Sequence, residues 1–323
     1  MDEVKELVNL INKRIEDYRD LNRSNVNDDP IDYILSLGGK RVRSTLVLMS
    51  YKLFDSNIEI AIKPALAVEL FHNFSLVHDD LMDDALIRRG MPSVHVKWDT
   101  NTAILSGDTI LIKSYQFLEA LPAEVLKLVF SIFNTVAIEV CEGQRLDILF
   151  EDIEKIEMSE YIRMIKYKTA VLIAASLKIG AVLGNAKQKD IDLLYEFGIN
   201  IGIAFQLQDD MLDLYATSVS FGKKIGGDIL ENKKTFLFIK ALELANCTER
   251  EDLLFWFRKR ESDDLKISSV KGIYDKLNVK HHICEEIEHY YHKAKTILSQ
   301  VSVSEDKKAM LYDFSKKLMS RKF

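Results

Sequence analysis

The chain has 323 residues, 47% of them hydrophobic and 29% charged, with a formal net charge of −6. That mixture suits a soluble globular protein with a sizeable core and excludes a disordered or fibrous one. No basic stripe runs along the chain, so no nucleic-acid partner is expected.

Val4, Leu7, Val8, Ile11 and Ile15 recur at helical spacing and predict an amphipathic first helix. The same stretch has neither a basic n-region nor an apolar h-region, so it does not read as a secretory leader. Gly38-Gly39 marks a flexible turn that leads into Lys40, Arg41 and Arg43. Pro64 suits a first helical turn and predicts a helix over Ala65 to Met82. This helix and a second, over Leu193 to Leu214, carry apolar residues on nearly every face, as helices in the middle of a bundle do. Gly222, Gly226 and Gly227 predict another flexible loop. The charge run Lys259 to Lys266 reads as a solvated loop or helix end, and His281, His282, His289 and His292 as part of an exposed helix.

The four prolines are Pro30, Pro64, Pro92 and Pro122, so helices after them can run without interruption. Alternating β patterns are scarce, and Asn-Gly and Asp-Gly are absent. The expectation is an all-α bundle of about a dozen helices. No Gly/Ser/Pro-rich linker divides the chain, so one domain over residues 1–323 is expected. No apolar run reads as long and uncharged enough to span a bilayer, so no membrane anchor is expected. Cys141, Cys247 and Cys284 are widely spaced and odd in number. They form no disulfide framework and no metal-ligand spacing, and a reducing cytoplasm fits them.

The first core helix ends in aspartates. Asp79 and Asp83 are four residues apart and stack on one helical face, with Asp80 and Asp84 on the neighbouring strip. A stabilising surface helix would place Lys or Arg at those positions. Crowded carboxylates want a cation, and hard oxygen ligands at this spacing suit Mg²⁺, which is often shared with substrate phosphates. The second core helix repeats the pattern with Asp209, Asp210 and Asp213. One such motif is commonly a solvated helix end. Two, each ending an apolar helix, point to metal ions holding a diphosphate between them. Lys40, Arg41 and Arg43, the Tyr167-Lys168-Thr169 segment, and Lys223, Lys224, Lys233 and Lys234 supply cations for phosphates that the metals leave uncovered.

With both aspartate motifs, GGKRVR (38–43), RRG (88–90), Lys168-Thr169, GKKIGGD (222–228) and KKT (233–235), the chain resembles the trans-isoprenyl diphosphate synthases of the polyprenyl synthetase family. The resemblance implies an all-α bundle around a central cavity, homodimeric and using three Mg²⁺ ions. It implies metal ligation by Asp79, Asp83 and Asp209, with Asp80 supporting and Asp210 and Asp213 nearby. It places Lys40, Arg43, His72 and Arg89 on isopentenyl diphosphate, and Arg88, Lys168, Lys223 and Lys233 on the allylic diphosphate. Thr169 and Gln206 would line the site of the allylic cation. His72 lies seven residues before Asp79, on the same face, and His78 is read as structural. Three positions depart from the family pattern: Ser44 replaces a usual proline, Asn232 a usual glycine, and Phe236-Leu237-Phe238 follows Thr235 where Leu-Pro is usual.

The implied chemistry ionises an allylic diphosphate, joins the cation head to tail to isopentenyl diphosphate, and loses a proton, with the departing diphosphate as base. Phe71, Phe74 and Ser75, below Asp79 on its helix, are the expected determinants of product length. A large Phe74 beside a small Ser75 favours geranylgeranyl over farnesyl diphosphate. The alternatives are a longer-chain synthase, a class I terpene cyclase, a non-catalytic synthase subunit and a helical di-metal carboxylate protein. The cyclase is opposed by DDMLD (209–213) and by Lys40, Arg43 and His72. The inactive subunit is opposed by the intact aspartates. The di-metal protein lacks its Glu-x-x-His ligand set.

Overall fold

The computed structural model describes residues 2–22, 29–216, 225–259 and 264–319. In chain order the elements are α1 (Asp2–Leu21), α2 (Pro30–Ser36), α3 (Val42–Lys52), α4 (Glu59–Met82), β1 (Ile87–Arg88), β2 (Met91–Pro92), α5 (Val94–Lys97), α6 (Thr100–Leu118), α7 (Ala123–Asp152) and α8 (Met158–Ile165). A π-helical turn, Lys166–Ala170, leads into α9 (Val171–Leu183) and α10 (Gln188–Tyr215). Then follow α11 (Gly227–Leu230), α12 (Phe236–Leu244), α13 (Cys247–Arg258), α14 (Asp264–Lys276), α15 (Val279–Ser299) and α16 (Glu305–Met319). The fold is all-α, with about a dozen of these helices longer than two turns.

The chain divides into two compact units. One is built from Met1–Val136, Leu172–Tyr195 and Gln300–Phe314, the other from Ala137–Val171, Glu196–Ser299 and Ser315–Phe323. In the first, α4 is the core helix. It packs on α3 and α6 and buries Leu66, Leu70, Phe71 and Val77. Leu7, Ile11 and Ile15 of α1 are buried as their spacing predicts. By length and composition α4 could cross a membrane, contrary to the sequence reading, but 72% of its apolar stretch is buried inside the protein. It is a core helix.

α4 also starts earlier than its proline suggests. Pro64 lies inside the helix, in its second turn, and the first turn begins at Glu59. So near a helix start the missing N–H costs a single bond. A buried acid, Glu69, interrupts the apolar surface of α4. Its Oε1 accepts from Arg41 Nη1 at 2.9 Å and its Oε2 from Ser44 Oγ at 2.7 Å. Ser44, where the family has proline, thus completes the pairing of a buried carboxylate.

In the second unit the charge run around residue 264 is not simply solvated. Lys266 is fully buried, and its Nζ donates to Asn232 Oδ1 at 2.6 Å and to the Lys259 carbonyl at 3.0 Å. Residues 260–263 lie outside the described residues. Asn232 stands at φ +58°, a left-handed position that asparagine tolerates better than most residues, which is why it can replace glycine.

Candidate active site

Asp79 and Asp80 lie in the last turn of α4, and Asp83 is its C-cap. Unsatisfied carbonyls give a helix C-terminus a partial negative charge, which adds to that of the carboxylates. Nothing in the helix offsets this, so the end of α4 attracts cations. Asp209, Asp210 and Asp213 stand in the last two turns of α10 in the same relation. Among the described residues no three acidic, His or Cys side chains converge on one point. Asp79 and Asp83, or Asp209, can therefore each give an ion only part of its shell. Mg²⁺ fits such a donor set, since it keeps several waters and shares substrate phosphates.

The motif aspartates are not equivalent. Asp80 is buried, and Arg88 holds it: Nε donates to Oδ1 at 2.8 Å and to Oδ2 at 3.0 Å, and Nη2 also donates to Oδ1. Burial raises the Asp80 pKa, against the pull of Arg88. Arg88 is placed by a feature the sequence reading did not contain, a minimal hairpin pairing Ile87 with Pro92 and Arg88 with Met91. Its two turn residues, Arg89 and Gly90, have φ of +55° and +78°, the sign that a primed hairpin turn requires. Arg89 reaches back to donate Nη1 to the Gly38 carbonyl. A side chain at Gly39 would come within 2.8 Å of Arg89 Nη2, so the second glycine of the Gly38-Gly39 turn makes room for this arginine.

A basic cluster forms on the same unit. Arg43 Nη1 lies 3.1 Å from His72 Nε2. A guanidinium has only donors, so Nε2 accepts and the ring proton sits on Nδ1. Burial first, then the charges of Arg43, Arg89, Arg88 and Arg41, hold the imidazole well below its usual pKa. His72 is neutral at physiological pH and leaves the cationic work to the arginines. Lys40 is exposed beside this cluster in sequence, directly after the glycine turn. Arg41 is buried and structural, held by Glu69 and by Asn12 Oδ1 at 2.9 Å.

At about 100° per residue, Ser75 stays within roughly 40° of Asp79 around α4, whereas Phe74 is turned by roughly 140°. Ser75 is partly exposed and donates its hydroxyl to the His72 carbonyl at 2.9 Å. Phe74 is buried between Phe71, at 5.4 Å between ring centroids, and His78, at 4.8 Å. Phe71 packs in turn on Phe133 of α7. The three expected length determinants thus split into a small residue in line with Asp79 and an aromatic wall beside it.

In the second unit Lys168 and Thr169 sit in the π turn, where Val171 N–H bonds the Lys166 carbonyl five residues back. Two glycines let neighbouring helices approach this turn. A Cβ on Gly143 of α7 would strike the Lys168 backbone, and one on Gly202 of α10 would strike Ala170. Lys168 Nζ donates to Asp147 Oδ2 at 2.5 Å, a partner the sequence reading missed. Thr169 Oγ1 donates to Gln206 Oε1 at 2.8 Å, and Gln206 Nε2 to Asp210 Oδ1 at 3.0 Å. Tyr161 donates to the other oxygen of Asp210. Both Asp210 oxygens are therefore engaged within the protein, and burial pushes its pKa up to about 7. Asp213 braces the following loop, accepting from Asp228 N–H at 3.1 Å through its side chain and from Gly226 N–H at 2.8 Å through its backbone carbonyl. Lys233 pairs with Glu231 at 2.8 Å. Lys223, Lys224 and the C-terminal Arg321-Lys322-Phe323 lie outside the described residues.

Helical core segments that end in paired aspartates, with a His–Arg cluster beside one of them, define a class of diphosphate-handling helical enzymes. Within it, the sequence matches the Polyprenyl synthetase family over residues 24–275, and the chain belongs to that family. It is 38% identical over 310 residues to a geranylgeranyl diphosphate synthase of Sulfolobus acidocaldarius, covering 92% of this chain and 93% of the relative. It is 41% identical over 246 residues to one of Methanosarcina mazei, covering 75% and 76%. Among solved structures, a crystal structure of geranylgeranyl pyrophosphate synthase superposes with a TM-score of 0.94 at 39% identity, over 100% of both chains. The protein is a prenyltransferase of the short-chain trans type.

Proposed function

We propose that the protein condenses isopentenyl diphosphate with allylic diphosphates and releases geranylgeranyl diphosphate ahead of farnesyl diphosphate. One observation supports two diphosphate sites. On the single helix α4, His72, which Arg43 touches, precedes Asp79 by two turns, about 10 Å of rise, and Asp83 follows one turn further on. The basic end suits an anion bound directly by Arg43, His72, Lys40 and Arg89. The acidic end suits an anion bound through cations. A terpene cyclase has no use for the first.

Three Mg²⁺ ions on Asp79, Asp83 and Asp209 would neutralise the allylic diphosphate as it leaves. Lys168, Lys223 and Lys233 bind the same group, Lys168 exchanging Asp147 for phosphate. The allylic C–O bond breaks with its electrons to diphosphate. The oxygens of Thr169 and Gln206 face the carbon that becomes positive. The isopentenyl double bond attacks that carbon, a C–C bond forms, and the proton lost passes to the departing diphosphate. Apolar helix faces keep water from the cation.

The small Ser75, in line with Asp79, leaves space for a hydrocarbon longer than fifteen carbons, and the names of the relatives agree with that product. The whole chain, 1–323, acts as one catalytic domain. A homodimer is supported by the large apolar residues exposed on one face of α6, Leu105 at 65% and Ile112 at 64%. A cytoplasmic location is supported by three free cysteines. The test is incubation with isopentenyl diphosphate, each allylic diphosphate in turn, and Mg²⁺, followed by chromatography of the dephosphorylated products. Twenty-carbon product is expected. Cyclic hydrocarbon, or no condensation with any primer, would overturn the reading.

A further inference from the structure

We infer that Tyr161 and Asp210 are positioning residues that fix the orientation of the Gln206 amide, so that only oxygen lone pairs of Gln206 and Thr169 face the reacting allylic carbon. The inference rests on the reading of Thr169 and Gln206 given above.

With Asp210 ionised, its carboxylate can only accept, and the direction of every bond in the chain is forced. The Phe236 backbone N–H, in the first turn of α12, donates to the Tyr161 oxygen. The Tyr161 proton is thereby directed at Asp210 Oδ2, where the structure places it. Asp210 Oδ1 then accepts from Gln206 Nε2 at 3.0 Å. With its NH₂ turned toward Asp210, Gln206 presents its carbonyl oxygen on the other side, and Thr169 donates to that oxygen at 2.8 Å. The Thr169 proton is consumed there. What remains exposed at this end is acceptor capacity, the polarity that suits a carbocation. Tyr161 is fully buried and Asp210 nearly so, and neither needs to touch substrate. A flipped amide would send its NH₂ toward Thr169, free the Thr169 proton and set positive dipole ends against the cation.

This makes a prediction that a general structural role does not. In Asp210→Asn the new amide has one acceptor. Tyr161 requires it, so the Asn NH₂ faces Gln206 and forces the Gln206 amide to flip. Adding Tyr161→Phe removes that demand, and the Asn oxygen can turn back to Gln206. The experiment measures kcat, both substrate KM values and the Mg²⁺ concentration for half-maximal rate on the full-length protein. Isopentenyl and geranyl diphosphates serve as substrates, and circular dichroism melts monitor folding.

Asp210→Asn should lower kcat by about a hundredfold, as loss of a preorganised dipole does, with KM values and Mg²⁺ dependence within about twofold of the parent. Tyr161→Phe alone should lower kcat by about tenfold, the effect of one lost hydrogen bond. The double variant should be faster than Asp210→Asn by about tenfold. A double variant as slow as Asp210→Asn, or slower, overturns the inference. So does a shift confined to KM or to the Mg²⁺ requirement, which would make the pair a substrate or metal support. Gln206→Leu separates the cation-lining role of Gln206 from the positioning of its amide. Full activity there overturns the cation-lining role and this inference together, whereas an impaired Gln206→Leu without rescue in the double variant overturns this inference alone. If Tyr161→Phe melts too low to assay, Tyr161→Phe/Asp210→Asn compared with Asp210→Asn still decides, because its Asn needs no phenol.

Discussion

Arg88 closes on Asp80 through two nitrogens, and so one charge of each basic and acidic motif is committed to the other before any ligand binds. The pairing engages Asp80 within the protein and ties the end of α4 to the hairpin that follows it. Removing one partner strands a charge in protein. Arg88→Met should destabilise the fold by ~3 kcal/mol, the usual order for breaking a largely buried pair. Arg88→Met/Asp80→Leu should recover much of that loss. Urea unfolding of both variants checks this, and equal losses in single and double variants would refute the pairing.

Metal dependence should separate the aspartates. Asp79→Asn, Asp83→Asn and Asp209→Asn should each lower turnover by orders of magnitude, because each would remove a ligand of the proposed metal site, while the melting temperature stays near that of the parent. Steady-state rates across a Mg²⁺ titration provide the check. Near-normal turnover in Asp209→Asn would mean that the first motif suffices.

The two substrates should respond to different residues. Arg43→Ala or His72→Ala should raise the KM for isopentenyl diphosphate by tenfold or more and leave that for the allylic substrate nearly unchanged, as loss of a charge-assisted contact to one ligand does. Because His72 is already neutral at pH 7, its contribution should not change between pH 7 and 8. A larger rise for the allylic substrate would exchange the assignments.

Product length should follow the split between Ser75 and the aromatic wall. Ser75→Phe should shift the main product from twenty to fifteen carbons. Phe74→Ala opens the wall beside it and should lengthen the product, at a stability cost of about 3–5 kcal/mol. Chromatography of dephosphorylated products reads both. An unchanged distribution in a folded Ser75→Phe enzyme would place the floor on another helix.

Asp210 gives a stability signature. Its carboxyl titrates at about 7 in the folded protein against an ordinary 3.8, because burial opposes the charge. The folded protein therefore holds this proton more tightly than the unfolded chain does. The associated stability is fully present below about pH 4 and is lost as pH rises through about 7. Urea midpoints of the metal-free protein should fall between pH 5 and 8 more steeply for the parent than for Asp210→Asn. Parallel trends would show that the proton is not held there.

Much of this candidate site could be read in the sequence because it is local. Asp79 and Asp83 stack by helical period alone, and His72 joins their face by the same count. Arg43 meeting His72 required the family resemblance, since no local rule brings residues 43 and 72 together. The Arg88–Asp80 pair was illegible because it depends on a hairpin whose first turn residue, Arg89, is a poor candidate for positive φ. Pro64 misdirected the helix start, because a proline in the second turn costs little when the rest of the helix is buried. Glu69 did carry a signal: an acid inside an all-apolar helix needs a buried cation, and Arg41 is that cation. Lys266 looked solvated because its neighbours are charged, yet tertiary contacts with Asn232 and Lys259 decide its burial. Tyr161 and Asp147 gave no signal, since one tyrosine or one aspartate in a helix has no pattern.

The π turn at Lys166–Ala170 acts as a one-residue offset in the helical rod that begins at Met158. Deleting a residue there would let the rod close as a plain α-helix and turn Thr169 by about 100° relative to Tyr161. The helix would survive, and the two ends of the Tyr161–Asp210–Gln206–Thr169 chain would point past each other. The active arrangement is thus set by phase as well as by residue identity, and Gly143 and Gly202 are the stops that hold the rod at the working angle.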